Sequence, residues 1–398
     1  MSGPKALTDR SVAERWQEVK SVEQWWDDLH DTMRSTMKAF LEDSLESELL
    51  EQIQAAAYQR NPDRVDYRNG YRLRSLQTRL GVIVNLRVPR SRDGRYQSRI
   101  LPRFDRHEAS VEDLICDSFL GGLSTRRVGE VLEPLLGEPV SPATVSQITK
   151  TLDGEVRRYH NRPLPADIRY FFLDGIVLKV KGVAAVQRKV ILAAYGITCT
   201  GERVLLDFQV ATSESTLQWE GFLNNLYRRG IDEKTLRLII TDGGSGLHDA
   251  LQVVYGSVKR QRCWVHKLRN VMVKLPVRYR TDCLGYLRLV YTAESKDNAR
   301  ERYRIWSEKW KPLVPKAVEC VEKDIDELLN FLNEPLCLAA KLRTTNAIER
   351  SFREVRRRTR PMSCFNNDDS CERIIFAVFN HQNRKWKDHH LPEFTHNT

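Results

Sequence analysis

Residues 169–181, RYFFLDGIVLKVK, open the stretch that decides the fold. With 189–198 (KVILAAYGIT) and 202–211 (ERVLLDFQVA) they form three β-branched and aromatic runs separated by short turns, among them Thr200-Gly201. Runs of this length between turn residues read as strands, and connections this short make them an antiparallel meander. TLQWEGFLNNLYRRG then has helical spacing and LRLIITD reads as a fourth strand. A helix from near Gly246 and a strand–helix pair over Val258 to Leu275 complete an α/β unit. Two carboxylates punctuate it. Asp174 follows YFFL inside the first strand, and Asp242 closes LRLIIT at the end of the fourth.

Three antiparallel strands, a helix and then alternating β and α is the element order of an RNase H-like fold. In such a sheet the first and fourth strands are neighbours, so both carboxylates would meet on one edge. Residues 276–342 are charged and helical, broken by Pro312 and Pro315, and read as an all-helical insertion. Trp306 and Trp310 either form its core or stack on bases. Beyond it, Arg343–Met362 (RTTNAIERSFREVRRRTRPM) predicts a helix with Asn346 as N-cap, Glu349 at the capping-box position and Pro361 as its stop. Ile348, Phe352 and Val355 make one apolar stripe that can lie on a sheet. The remaining surface is cationic: Arg350, Arg353, Arg356, Arg357, Arg358 and Arg360. Glu349 is therefore either a cap or a metal ligand beside a phosphate backbone.

Toward the N-terminus, Ser110 to Asn161 reads as three helices. Ser124 caps the second, which Pro134 curtails or kinks, and Ser141-Pro142 starts the third. A short helix, a tight turn and a capped helix resemble a helix-turn-helix, with Thr144, Gln147 and Lys150 facing the DNA groove. Residues 65–107 form a small β element: Asn69-Gly70 and Asp93-Gly94 signal turns, and LQTRLGVIVNLRVPR reads as a strand pair around Gly81. Its arginines either contact DNA or keep the element soluble. No proline or glycine interrupts the chain between Pro4 and Pro62, which favours long helices. Their apolar stripe (Val22, Trp26, Leu29, Met33, Met37, Phe40, Leu45, Leu49, Ile53) either packs on its own domain or pairs two copies. The expected division is 1–64 (helical, dimerising), 65–107, 108–162 (helix-turn-helix), 163–275 (first part of the core), 276–342 (insertion) and 343–398 (final part of the core).

Charge agrees with a nucleic-acid partner. Sixty-four Lys and Arg against 53 Asp and Glu leave +11. The excess is local: seven arginines lie within 87–106 and six within 350–360. The eight cysteines show no CxxC and read as reduced thiols. No signal-like segment or run of bilayer length appears. The expectation is a soluble cytoplasmic protein, associated with the nucleoid, acting on internal DNA or RNA.

Cutting and rejoining a phosphodiester needs a nucleophilic oxygen, a stabilised leaving oxygen and relief of charge at phosphorus. Two divalent ions meet these needs, and magnesium (or manganese) takes hard oxygen ligands. Asp174, Asp242 and Glu349 would supply them. From around residue 35 to around residue 380 the chain resembles the Mutator-type (MULE-related) transposases of bacterial insertion sequences, a DDE enzyme family. The likeness lies in DYRNGY, VPRSRDG, GLSTRRV, SPATVSQI, ITDGGSGL, RCWVHKLRN and TTNAIERSFREVRRRTRPM. It implies that Asp174, Asp242 and Glu349 are the catalytic and metal-binding triad. It further implies an RNase H-like core with a helical insertion, cleavage and strand transfer at terminal inverted repeats, and target DNA as a second substrate. DGGSGL lacks the extra polar groups often found beside the second aspartate in that family. Cys263 and His266 in RCWVH are two ligands where zinc needs four. The resemblance gives them an accessory role, and a satisfied core histidine is the other reading. Outside transposition, the alternatives are a helix-turn-helix regulator without catalysis and an RNase H-like nuclease.

Overall fold

A 32-residue helix, α1 (Val22–Ile53), begins at Ser21, whose hydroxyl accepts from the Gln24 N–H. The computed structural model describes residues 21–56, 59–101, 107–182, 185–360, 364–387 and 389–395. The chain divides into two units, residues 1–150 and 151–398.

In the first unit, strands β1 (Arg68–Thr78) and β2 (Gly81–Ser91) form an antiparallel hairpin. Leu45 of α1 packs with Leu76, Ile83, Leu86, Val88 and Leu101 in one buried cluster. The apolar stripe of α1 is thus half used. Leu45, Leu49 and Ile53 are buried, whereas Val22, Trp26, Met33 and Phe40 are exposed. Asn69-Gly70 departs from expectation. It lies inside β1, where the register shifts between Arg68 and Tyr71 and Gly70 has φ +68. An αL residue suits a bulge as well as a turn, so the dipeptide marks a bulge. The hairpin turn is Arg79-Leu80, just before Gly81. Gly94 does turn the chain, its N–H donating to Ser91 O.

Helices α2 (Ala109–Leu120), α3 (Thr125–Leu136) and α4 (Pro142–Thr149) follow. The Ser124 and Ser141 hydroxyls accept from the N–H groups of Arg127 and Thr144, as their positions predict. Pro134 sits in the last turn of α3, which ends at Leu136. A fourth helix, α5 (Asp153–Asn161), lies in the span read as three, and it belongs to the second unit.

The second unit is built on a five-stranded mixed sheet of order β5-β4-β3-β6-β7. Its strands are β3 (Ile168–Lys181), β4 (Val186–Thr198), β5 (Arg203–Ala211), β6 (Leu238–Thr241) and β7 (Arg260–Arg262). β3, β4 and β5 are an antiparallel meander, and β6 and β7 add in parallel. Helices α6 (Thr216–Arg228) and α7 (Ser245–Val254) cover one face. Trp219, Phe222, Leu223, Leu247 and Leu251 share a buried cluster there with Phe171, Leu173, Leu192 and Ile239. After α8 (Trp264–Val273) come the helices α9 (Arg280–Tyr291), α10 (Lys296–Trp310) and α11 (Pro315–Glu322). Trp306 and Trp310 are core residues, both buried, and Trp306 Nε1–H donates to Cys283 O at 3.1 Å.

Helix α12 (Asn346–Thr359) then returns to the sheet with Ile348, Phe352 and Val355 buried. Pro361, expected to stop it, lies outside the described residues. Helix α13 (Asp368–Trp386) packs edge-to-face onto the sheet through Phe379 on Phe208 and Trp386 on Tyr195. Among the described residues, no helix is long and apolar enough to cross a membrane.

Candidate active site

The parallel pairing of β3 and β6 sets Leu173 opposite Thr241. Asp174 and Asp242 are the next residue on each chain, and neighbouring strands run about 4.8 Å apart. Side chains alternate along a strand, so Asp174 points away from the Leu173 core, toward the face that α12 covers. Asp174 is 5% exposed, and its Oδ1 accepts from Gly175 N–H at 2.8 Å. Burial, and then the charge of Asp242, push its carboxyl up to about 7, against the lowering pull of His266 and the Gly175 N–H. Asp242 Oδ1 accepts from Gly244 N–H at 2.9 Å. Between them Gly243 has φ +88, and a Cβ there would meet the Arg262 guanidinium at 2.6 Å. The positive φ is what calls for glycine at that turn, since the guanidinium is the movable end of a flexible side chain.

Glu349 comes from the first turns of α12. Here the expected cap is corrected: the helix starts at Asn346 and the N-cap is Thr345, whose side chain accepts no first-turn N–H. Instead the Thr345 hydroxyl is 3.4 Å from Glu349 Oε1. Glu349 is therefore one residue too far along to complete a capping box with Thr345. Its carboxylate faces His266 Nε2 at 3.7 Å and Arg269 at 3.9 Å.

Cys263 is the N-cap of α8 and His266 lies on its first turn. Their C-x2-H spacing brings both to Glu349, and ligating atoms of all three lie within 4.8 Å of one another. Contact with Cys263, opposed by burial and helped by the charges of Asp174 and Glu349, raises His266 to about 9. His266 Nδ1 is buried without a hydrogen-bond partner among the described residues, so this contact is electrostatic rather than an aligned hydrogen bond. Burial pushes the Cys263 thiol up, but His266 and hydrogen bonds from Thr345 outweigh it and its pKa falls. At neutral pH a cationic imidazole thus stands beside the carboxylates of Asp174 and Glu349.

Arg350, Arg353, Arg356 and Arg357 on α12 and Arg360 at its C-cap are all exposed, and Arg357 pairs with Glu354 at 3.0 Å. Arg350, Arg353 and Arg357 line a groove of about 530 Å³ with Arg358, His381 and Lys385, whereas Arg356 and Arg360 stand outside it. Burial and then the charges of Lys385, Arg358 and Arg384 push His381 down, the mark of a crowded positive field. In the first unit, Gln147 and Lys150 are exposed, while the Thr144 hydroxyl lies 2.8 Å from Ser141 Oγ.

Sequence reasoning missed three neighbours of this site: Thr345, Arg269 and Glu214. Glu214 Oε1 occupies the space beside Gly175, 2.5 Å from where a Cβ would stand, and burial followed by the charge of Asp242 raises its pKa. Nothing local marks it, because a glutamate in a polar loop looks like any solvated one.

Fold and site together define an α/β protein that gathers carboxylates at the middle of its sheet, where β6 ends beside the central strand β3, next to an arginine-rich helix. The chain belongs to the family described as Transposase, Mutator family, whose sequence model matches residues 8–389. It is 33% identical over 358 residues to the transposase for insertion sequence element ISRM5 of Rhizobium meliloti (strain 1021), covering 90% of this chain and 89% of that one. It is 30% identical over 363 residues to the transposase for insertion sequence element IS905 of Lactococcus lactis subsp. lactis (strain IL1403), covering 90% of each. It is also 30% identical over 359 residues to the transposase for insertion sequence element IS256 in transposon Tn4001 of Staphylococcus aureus, covering 89% and 91%.

Proposed function

We propose that this protein is a DNA transposase that cleaves the ends of an insertion sequence and joins them to target DNA, using Asp174, Asp242 and Glu349. The convergence of these carboxylates carries the reading. Three acids from distant parts of the chain crowd one place, and burial with like charge pushes Asp174 up to about 7. A native fold that holds mutually repelling carboxylates is one that a cation relieves. The donor set fits magnesium or manganese, being hard carboxylate oxygens. Two such ions, when bound, would supply Lewis-acid relief of charge on the phosphorus centre and the leaving oxygen.

The strand order supports an RNase H-like core over 163–275 and 343–398, with 276–342 as its helical insertion. Protonated His266 adds a positive charge for the scissile phosphate, and Cys263 is its accessory partner. Arg350, Arg353, Arg356, Arg357 and Arg360 hold the DNA backbone, because guanidinium forks match phosphate oxygens. The three helices between residues 109 and 149 act as a helix-turn-helix reading terminal inverted repeats through Thr144, Gln147 and Lys150, leaving α5, placed in the expected 108–162 domain, to the second unit. The exposed part of the α1 stripe pairs two copies, as joining two DNA ends requires. The setting is the bacterial cytoplasm, on the nucleoid.

Glu349→Gln tests the reading. Gln keeps the shape and removes the charge, so cleavage and joining of end-bearing DNA should be lost while DNA binding and circular dichroism are unchanged. A structural Glu349 predicts a nearly silent change, and full strand transfer by the folded variant would refute the triad.

A further inference from the structure

One residue ties two of the carboxylates together. The Cys263 N–H donates to Thr241 O at 2.7 Å, the carbonyl immediately before Asp242. Its sulfur accepts from the Thr345 N–H at 3.3 Å and lies 3.4 Å from Thr345 Oγ1. Thr345 is the N-cap of the helix that carries Glu349, its carbonyl accepts from the Glu349 N–H at 3.1 Å, and its hydroxyl reaches Glu349 Oε1 at 3.4 Å. A second strut lies alongside, from Trp264 N–H to Arg343 O at 2.9 Å. Cys263 and Thr345 are both fully buried, so no water replaces a lost bond and each missing partner leaves an unsatisfied group.

We propose that Cys263 is a positioning residue that sets the separation of Asp242 and Glu349. Its backbone holds the strand end and its sulfur holds the helix cap. This rests on the reading of Asp242 and Glu349 as joint metal ligands. Cys263 acts on the spacing of that pair through Thr241 and Thr345. The element matters as well as the position. Sulfur accepts here at 3.3 Å, whereas a hydroxyl oxygen accepts an N–H best near about 2.9 Å. Because the Cβ–O bond is also shorter than Cβ–S, serine would either pull the cap inward by more than roughly 0.4 Å or leave the bond stretched. A functional constellation tolerates displacements of only about 0.5 Å. The C-x2-H spacing then has one explanation for both members: the thiol clips the helix that brings Glu349 in, and the imidazole one turn later faces the carboxylate so delivered.

The test uses the full chain and three measurements: Mn²⁺ binding by titration calorimetry, amide exchange over residues 345–349, and Mg²⁺ dependence of DNA joining. Cys263→Ala and Thr345→Val should each weaken metal binding about 10-fold, as loss of a partner that orients a ligand does. Both should speed exchange at 345–349, with circular dichroism and DNA binding unchanged. Thr345→Ser keeps the hydroxyl and should restore wild-type values, and Cys263→Ser should fall between. Wild-type metal affinity and exchange in Cys263→Ala, or a Thr345→Ser as impaired as Thr345→Val, would overturn the clip. Should Cys263→Ala fail to fold, the two serine variants decide, since both retain a bonding group. A Glu349→Gln protein that binds Mn²⁺ and joins DNA normally overturns the metal-ligand reading instead, and exchange in the Cys263 variants still reports on the clip.

Discussion

Replacing Asp174 by Asn should stabilise the second unit at alkaline pH while removing activity. The wild-type carboxyl is raised from its ordinary 3.8 to about 7, chiefly by burial. The native state therefore keeps a proton that the unfolded chain releases, and stability falls as pH rises through that window. The cost is absent below about pH 4 and complete above about pH 7. At about 1.4 kcal/mol per pH unit it reaches roughly 4 kcal/mol, a ceiling because Asp242 shares the repulsion. Asn carries no charge and can still accept the Gly175 N–H. For a unit of this size each kcal/mol moves the melting temperature by about 2–4 °C, so half the ceiling gives about 4–8 °C. Melting is followed by circular dichroism in EDTA at pH 5 and pH 8. The variant should melt higher at pH 8, and the gap should shrink at pH 5, where the wild-type carboxyl is protonated. Adding Mg²⁺ at pH 8 should raise the wild type and leave the variant in place. A variant no more stable than wild type at pH 8, or equally stabilised at both pH values, would refute the reasoning.

Arg353→Ala and Arg356→Ala should each flatten log K against log[salt] by about 1 in DNA-binding titrations, equally for end-bearing and random duplexes, because phosphates carry no sequence information. Phe352, 3% exposed beneath α12, should cost about 3–5 kcal/mol on truncation to Ala, seen as a lower urea midpoint. Replacing the exposed Val22, Trp26, Met33 and Phe40 together by Lys should yield a monomer by light scattering where the unaltered chain is a dimer, since the buried Leu45, Leu49 and Ile53 are left in place. An unchanged oligomeric mass would assign that face elsewhere.

Local chemistry made much of the fold legible. Ser124 and Ser141 are caps because a hydroxyl reaches an N–H three residues on, whatever surrounds it. The three strands from Ile168 to Ala211 follow from β-branched runs joined by connections too short for anything but antiparallel pairing. Asn69-Gly70 was misread because a positive φ serves a bulge and a turn equally. Asn346 lost the cap to Thr345, a residue held by a sulfur 82 positions away. No window of sequence contains that bond.

The residues of the site divide the same way. Sequence alone singled out the candidate side chains. Asp174 and Asp242 end apolar runs, Glu349 opens an arginine helix, and residue type and neighbours along the chain suffice to say so. Tertiary structure alone decided that they meet. The parallel register of β3 and β6 aligns Asp174 with Asp242, and Cys263 joins that strand end to the helix of Glu349. Burial then raises Asp174, while Cys263 and the nearby acids keep His266 charged against its own burial. Such effects depend on distance through space and on excluded water. Neither is a property of residue order.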